Sequence, residues 1–335
     1  MVKISEGKLK GLQAVADERG VIRAAAMDQR GSLIKSLAKE KNIKAEEVSD
    51  DMLSEFKSSV IKVLSPFASG VLLDPEYGLP ASKSRQEGVG LLLAYEKSGY
   101  DNTQPGRIPQ LLPDWTARRL KEAGAECVKL LLYYNPLEKN SVNDQKKSLV
   151  ERVGMECAYL DIPFFLEFVG YDLEDSGPPV EYARKKPEIV RESMREFSKE
   201  IYKVDVLKVE IPVDLRYTSG TASFQGPQTA YSKEEAKEIY LQTAEAAKRP
   251  FIYLSAGVTD AQFRESLQLA IEAGVIFAGV LCGRATWKEG IPVFAKQGAS
   301  AMEDWLSDRG VKNIQALNEI LKQAHSWKAF YPEQP

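Results

Sequence analysis

The stretch Asp205-Val206-Leu207-Lys208-Val209-Glu210-Ile211-Pro212-Val213, written DVLKVEIPV, has the composition of a short β-strand, yet a lysine stands in the middle of it. Lysine is seldom buried without a partner. If Lys208 faces outward it simply meets solvent. If it faces inward, burial disfavours the ammonium and makes the neutral, nucleophilic amine accessible. The rest of the chain decides between the two.

Seven more apolar runs bounded by turn residues share this character: VIRAAAMD (21–28), GVLLDPEYG (70–78), GLLLAYE (90–96), CVKLLLYY (127–134), FFLEFVGY (164–171), FIYLSAG (251–257) and FAGVLCG (277–283). Between most of them lie segments of helical periodicity, at 46–64, 114–124, 143–160, 187–202, 232–248 and 259–274. Asn143, Ser232 and Thr259 mark helix starts, and Gly124 and Gly274 mark ends. Eight strands alternating with helices predict a (β/α)8 barrel, a fold that needs roughly 250 residues. A doubly wound sheet is the alternative, but no GxGxxG loop follows the first strand. Helices near 5–18 and 300–325 are expected as additions, and one domain over residues 1–335 is the simplest division.

Composition narrows the chemistry. A net charge of −3 opposes a general nucleic-acid surface, so an anion has to be held by local groups. The N-terminal segment lacks the apolar core of a signal peptide, and runs such as VIFAGVLCG (275–283) are too short to span a bilayer, which reads as a cytoplasmic protein. Cys127, Cys157 and Cys282 form no CxxC pair and read as small buried residues. With His325 the sole histidine, neither a multi-histidine zinc site nor a Ser-His-Asp triad can be built. No metal and no cofactor is expected.

In such a barrel the active site lies at the C-terminal ends of the strands, where buried polar residues draw attention. Asp28, Lys129, Glu167, Lys208, Ser255 and Arg284 each come from a different strand. Strands four, five and six are neighbours, which places Lys129, Glu167 and Lys208 side by side. Two adjacent lysines lower each other's pKa, and a carboxylate between them can carry protons. A neutral lysine attacks a carbonyl to form a Schiff base, and the iminium then lets a nearby carbon–carbon bond break. LSAG (254–257) and LCGRATW (281–287) put glycines and Arg284 in the loops after strands seven and eight, where this fold holds phosphate. Asp28, Gln29 and Arg30 close the first strand; Asp28 can orient a hydroxyl and Arg30 can meet a second phosphate. Asp74, Glu76, Tyr95 and Glu96 show no clear role. The excursions 172–187 and 214–232 follow strands five and six and are candidate substrate loops.

MDQRG (27–31), VKLLLYY (128–134), PFFLE (163–167), DVLKVEIPV (205–213), FIYLSAGV (251–258) and GVLCGRATW (279–287) together resemble the class I tagatose 1,6-bisphosphate aldolases. The resemblance implies a metal-free barrel that cleaves D-tagatose 1,6-bisphosphate to dihydroxyacetone phosphate and D-glyceraldehyde 3-phosphate. It also implies Lys208 as the Schiff-base lysine, Glu167 as general acid/base and Lys129 as a tuning and binding group. Asp28, Gln29 and Arg30 would contact substrate, and Ser255, Gly257, the backbone at Leu281 and Gly283, and Arg284 would hold a phosphate. A phosphosugar is the expected partner, with neither nucleic acid nor membrane, in a homo-oligomer. Other ketohexose bisphosphates, a sulfo-sugar phosphate and a phosphosugar sensor without turnover stay open as alternatives.

Overall fold

Parallel strands cannot be joined by tight hairpins, so each must be followed by a crossover that covers one face of the sheet. The computed structural model, which describes residues 4–97, 106–173 and 178–331, is built in this way. All eight apolar runs form strands: β1 Ile22–Met27, β2 Gly70–Leu73, β3 Gly90–Ala94, β4 Cys127–Tyr133, β5 Phe164–Val169, β6 Val206–Glu210, β7 Phe251–Leu254 and β8 Gly279–Cys282. They pair in parallel in chain order, and β1 closes on β8 through Ile22 opposite Gly279.

The strand interiors divide into two layers. Ala24, Leu72, Leu92, Cys127, Phe165, Val206 and Ile252 fill the lower barrel as one apolar cluster. Two residues further along, the same inward positions become Ala26, Lys129, Glu167 and Lys208. Glu167 lies opposite Lys208 in the register of β5 and β6, whereas Lys129 lies opposite Phe165, one inward step lower than Glu167.

The helices are α1 Glu6–Ala14, α2 Gly31–Lys41, α3 Asp50–Leu64, α4 Leu79–Ser82, α5 Ala117–Glu122, α6 Asn140–Tyr159, α7 Pro179–Phe197, α8 Lys233–Ala244, α9 Asp260–Glu272, α10 Arg284–Trp287, α11 Ile291–Trp305 and α12 Val311–Leu321. Ser232 and Thr259 cap α8 and α9, each completed by a side chain three residues on, Glu235 and Gln262. Asn143 is not a cap, contrary to the sequence expectation. The helix starts at Asn140, and the Asn143 amide donates to the carbonyls of Asn135 (3.0 Å) and Glu138 (3.3 Å), tying down the loop after β4. Expected over 187–202, α7 starts instead at Pro179 and runs through Pro187. Most of the excursion 172–187 is therefore helix, with its residues 174–177 outside the described residues. The stretch DNTQPGRIP (101–109), which reads from its sequence as a loop, is likewise described only from residue 106.

Both ends of the chain's described part seal the bottom of the barrel. Leu12 and Val15 pack with Ile22 and Trp327, and Trp327 N–H donates to the Gly20 carbonyl at 2.9 Å. The approach of this plug to the strands requires a glycine: a Cβ on Gly90 would lie 2.3 Å from the Ala14 carbonyl oxygen. α12 packs against α9 and α3, and so completes the outer ring. None of the described helices is long and apolar enough to cross a membrane.

Candidate active site

Lys208 faces inward, is 3% exposed, and places its Nζ 2.9 Å from Glu167 Oε2. The same oxygen lies 2.8 Å from Lys129 Nζ. Lys129 also meets Asp28 Oδ2 at 2.8 Å and Glu96 Oε1 at 2.7 Å, so three carboxylates share its ammonium. The other Glu96 oxygen accepts from the Leu131 N–H at 2.9 Å, which fixes that carboxylate on the barrel wall.

The charges follow from this geometry. Burial alone would push Lys129 down, but Asp28, Glu167 and Glu96 outweigh it and hold its pKa well above the usual lysine value. Burial likewise opposes ionisation of Glu167 and Asp28, yet the ammonium groups of Lys129 and Lys208 keep both carboxyls below their usual range. The expected mutual depression of two adjacent lysines is thus altered. A carboxylate stands between them, and Lys129 is a permanent cation. Lys208 meets one acceptor among the described residues, and it shares that acceptor. An ionised carboxylate 2.9 Å away is in place to take the proton that a lysine must lose before it attacks a carbonyl.

This layer floors a cavity of about 620 Å³ at the C-terminal mouth. On one side stand Ser255, Gly257, Leu281, Gly283 and Arg284. The loop after β7 is left-handed at Ala256 (φ 47°) and Gly257 (φ 80°), and a Cβ on Gly257 would come within 3.0 Å of the Arg284 guanidinium carbon. Only glycine lets Arg284 lie over this backbone. Lys288, which sequence reasoning missed, donates to the Gly257 carbonyl at 2.9 Å and pins the loop from behind. Gln29 sits close by, its Nε2 3.1 Å from where a Gly283 Cβ would be.

On the opposite side stand Arg30, Gly31, Ser32, Lys35 and Lys97. Arg30 is 4% exposed; its Nη1 meets Glu76 at 2.5 Å and its Nη2 donates to the Glu96 carbonyl at 2.6 Å, which leaves Nε without a partner among the described residues. α2 starts here without a side-chain cap. Lys35, Lys97, Glu210 and Tyr133 also line the cavity and were not singled out from sequence. Glu210 was findable, since it stands two residues beyond Lys208 on the same face of β6.

Residues 22–289 match the model of the DeoC/LacD family aldolase. The chain belongs to this family. It is 49% identical over 333 residues to tagatose 1,6-diphosphate aldolase 2 of Enterococcus faecalis, covering 98% of each chain. It is 47% identical over 325 residues to tagatose 1,6-diphosphate aldolase of Listeria monocytogenes, covering 96% of this chain and 94% of that one. Among solved structures, fructose-bisphosphate aldolase from Plasmodium falciparum superposes with a TM-score of 0.68 at 14% identity over 97% of both chains. A Schiff-base-forming fructose-1,6-bisphosphate aldolase superposes with a TM-score of 0.54 at 15% identity, over 93% of this chain and 98% of that one. At such identities the two structures speak for the barrel alone.

Proposed function

We propose that this protein is a class I aldolase that reversibly cleaves D-tagatose 1,6-bisphosphate to dihydroxyacetone phosphate and D-glyceraldehyde 3-phosphate, and that it also accepts other ketohexose 1,6-bisphosphates. The observation that carries the reading is Lys208, buried in the barrel with a single acceptor among the described residues, Glu167 Oε2, that it shares with Lys129. The substrate is assigned from the relatives at 46–49% identity that bear that name.

In the cleavage direction Lys208 gives up a proton and its Nζ attacks C2 of the open-chain ketose. The carbinolamine loses water to an iminium. Glu167 takes the proton of the C4 hydroxyl, the C3–C4 bond breaks, and its electron pair moves onto the C2–N unit as an enamine. The aldehyde leaves, C3 is reprotonated, and water returns to C2 to release dihydroxyacetone phosphate and the free lysine. Lys129 stays charged throughout, stabilising oxygen-centred negative charge beside C2 and C4 while keeping Glu167 a base. Asp28 holds Lys129 and a substrate hydroxyl. Ser255, Gly257, Leu281, Gly283 and Arg284 suit the phosphate nearer the imine, because they stand at the ends of β7, which pairs with the strand of Lys208, and of β8, the next strand on. Arg30, Ser32, Lys35 and Lys97, across the cavity, suit the distal phosphate.

Borohydride reduction in the presence of dihydroxyacetone phosphate, followed by mass spectrometry of peptides, tests the reading. A reduced adduct on Lys208 is expected. An adduct on a different lysine, or none although the ligand binds, overturns it.

A further inference from the structure

Lys57 lies on α3, outside the barrel wall, and is fully buried together with its partner Asp74. The two form a close ion pair. The other two donors of its ammonium go to the Met27 carbonyl at 2.8 Å and the Gln29 carbonyl at 2.9 Å. A lysine has three N–H donors, and all three are taken. The residue between the two bonded carbonyls is Asp28. The peptide unit before Asp28 and the one after Gln29 are both held, so the two-residue turn between them is tied at each end, and the Asp28 carboxylate lies 2.8 Å from Lys129.

We propose that Lys57 is a positioning residue for the aldol reaction: by clamping the carbonyls on either side of Asp28 it sets that carboxylate against Lys129, and through Lys129 it sets Glu167. The inference rests on the reading of Lys208, Glu167 and Lys129 as the reacting machinery. An apolar side chain at position 57 would fill the helix–strand interface equally well, since buried ion pairs are readily replaced by apolar groups without loss of stability. What an apolar residue cannot supply is donors to the two carbonyls where β1 ends. A displacement of about 1 Å in a catalytic constellation costs roughly 10²-fold in rate. Asp28 is faced by the cations Lys129, Lys208 and Lys57 and by the carboxylate Glu167. Lys57 in turn is faced by Asp74, Asp28 and Arg30. Removing the Lys57 charge therefore also weakens the field that keeps Asp28 ionised.

The test compares wild type with the paired variant Lys57→Met/Asp74→Asn, which removes the clamp without stranding a buried carboxylate and keeps an acceptor for the Tyr77 N–H. Steady-state cleavage is measured across pH, with borohydride trapping of dihydroxyacetone phosphate as a parallel readout. The expected result is a fall in kcat of about 10–100-fold, KM changed by less than about threefold, trapping at Lys208 retained, and the acid limb of kcat moved to higher pH. Asp74→Asn alone, which keeps the lysine but removes the counter-charge that holds it, is expected to lower kcat to a smaller extent, and it decides the matter if the paired variant does not fold. A folded variant with wild-type kcat and an unmoved acid limb overturns the proposal. Failure of wild type itself to trap at Lys208 overturns the aldolase reading instead.

Discussion

Two buried lysines, one behind the barrel wall and one within it, are treated in opposite ways. Lys57, between α3 and the barrel, has three acceptors for three donors. Lys208, inside the barrel, has one, and Lys129 draws on the same oxygen. Three acceptors tie the Lys57 ammonium to the groups around it, whereas the Lys208 amine has one among the described residues and lines the cavity. A lysine that shapes the fold and a lysine that reacts differ less in burial than in how many acceptors surround them.

Replacing each group in turn tests that contrast. Lys208→Met is expected to lower cleavage by roughly 10⁴-fold or more and to abolish borohydride trapping, with far-UV circular dichroism unchanged. Trapping that persists in this variant would remove Lys208 from the chemistry. Lys57→Met alone should act on the fold, because it leaves Asp74 buried with the Tyr77 N–H as its remaining described donor. The expected loss is about 3–5 kcal/mol in urea unfolding; a loss below about 1 kcal/mol would mean that Asp74 finds water. Glu167→Gln keeps the shape of the bridge and removes the base, so kcat should fall about 10²–10⁴-fold while dihydroxyacetone phosphate still binds. An unchanged kcat would show that another group takes the proton.

Lys146, also fully buried, sharpens the comparison from a third side. It donates to the Tyr171 hydroxyl at 2.9 Å, and that hydroxyl donates to Glu138. With no carboxylate in direct contact among the described residues, burial lowers its pKa to about 8 from the ordinary 10.5. Below pH 8 both folded and unfolded chains carry the proton and the buried charge costs stability in full. Between about 8 and 10.5 the unfolded chain holds the proton and the folded one does not, so this residue's contribution to stability rises with pH. Wild type minus Lys146→Met, followed by thermal unfolding from pH 7 to 10, should show that rise; a flat difference would mean that Glu138 pairs with the lysine through Tyr171.

Much of this arrangement was legible in the chain. A strand covered on both faces reads as an unbroken apolar run, so Lys129, Glu167 and Lys208 stood out against it. Glu96 was noticed but given no role, because it lies two residues beyond the end of β3 and its contact with Lys129 crosses to the next strand. Lys57 had a signal that went unread: with Leu53, Phe56, Val60, Ile61 and Leu64 it falls on the buried stripe of α3, a place for an apolar residue. The start of α7 was hidden by a long-range contact. Pro187 removes the N–H that would serve the Ala183 carbonyl, and so reads as a helix stop. Tyr231, from the excursion after β6, supplies the missing donor, its hydroxyl 3.2 Å from that carbonyl and 2.6 Å from that of Arg184. No pattern within 172–187 could announce it.

The seal at the bottom of the barrel sets the order of events during synthesis. Ile22 waits for Gly279 to close the sheet, and Gly20 waits for Trp327. A ribosome that has already made Lys208 still has some seventy residues to add before the last strand can close the barrel, and more than a hundred before Trp327 seals it. The nascent chain thus carries its reactive amine exposed until the last strand emerges.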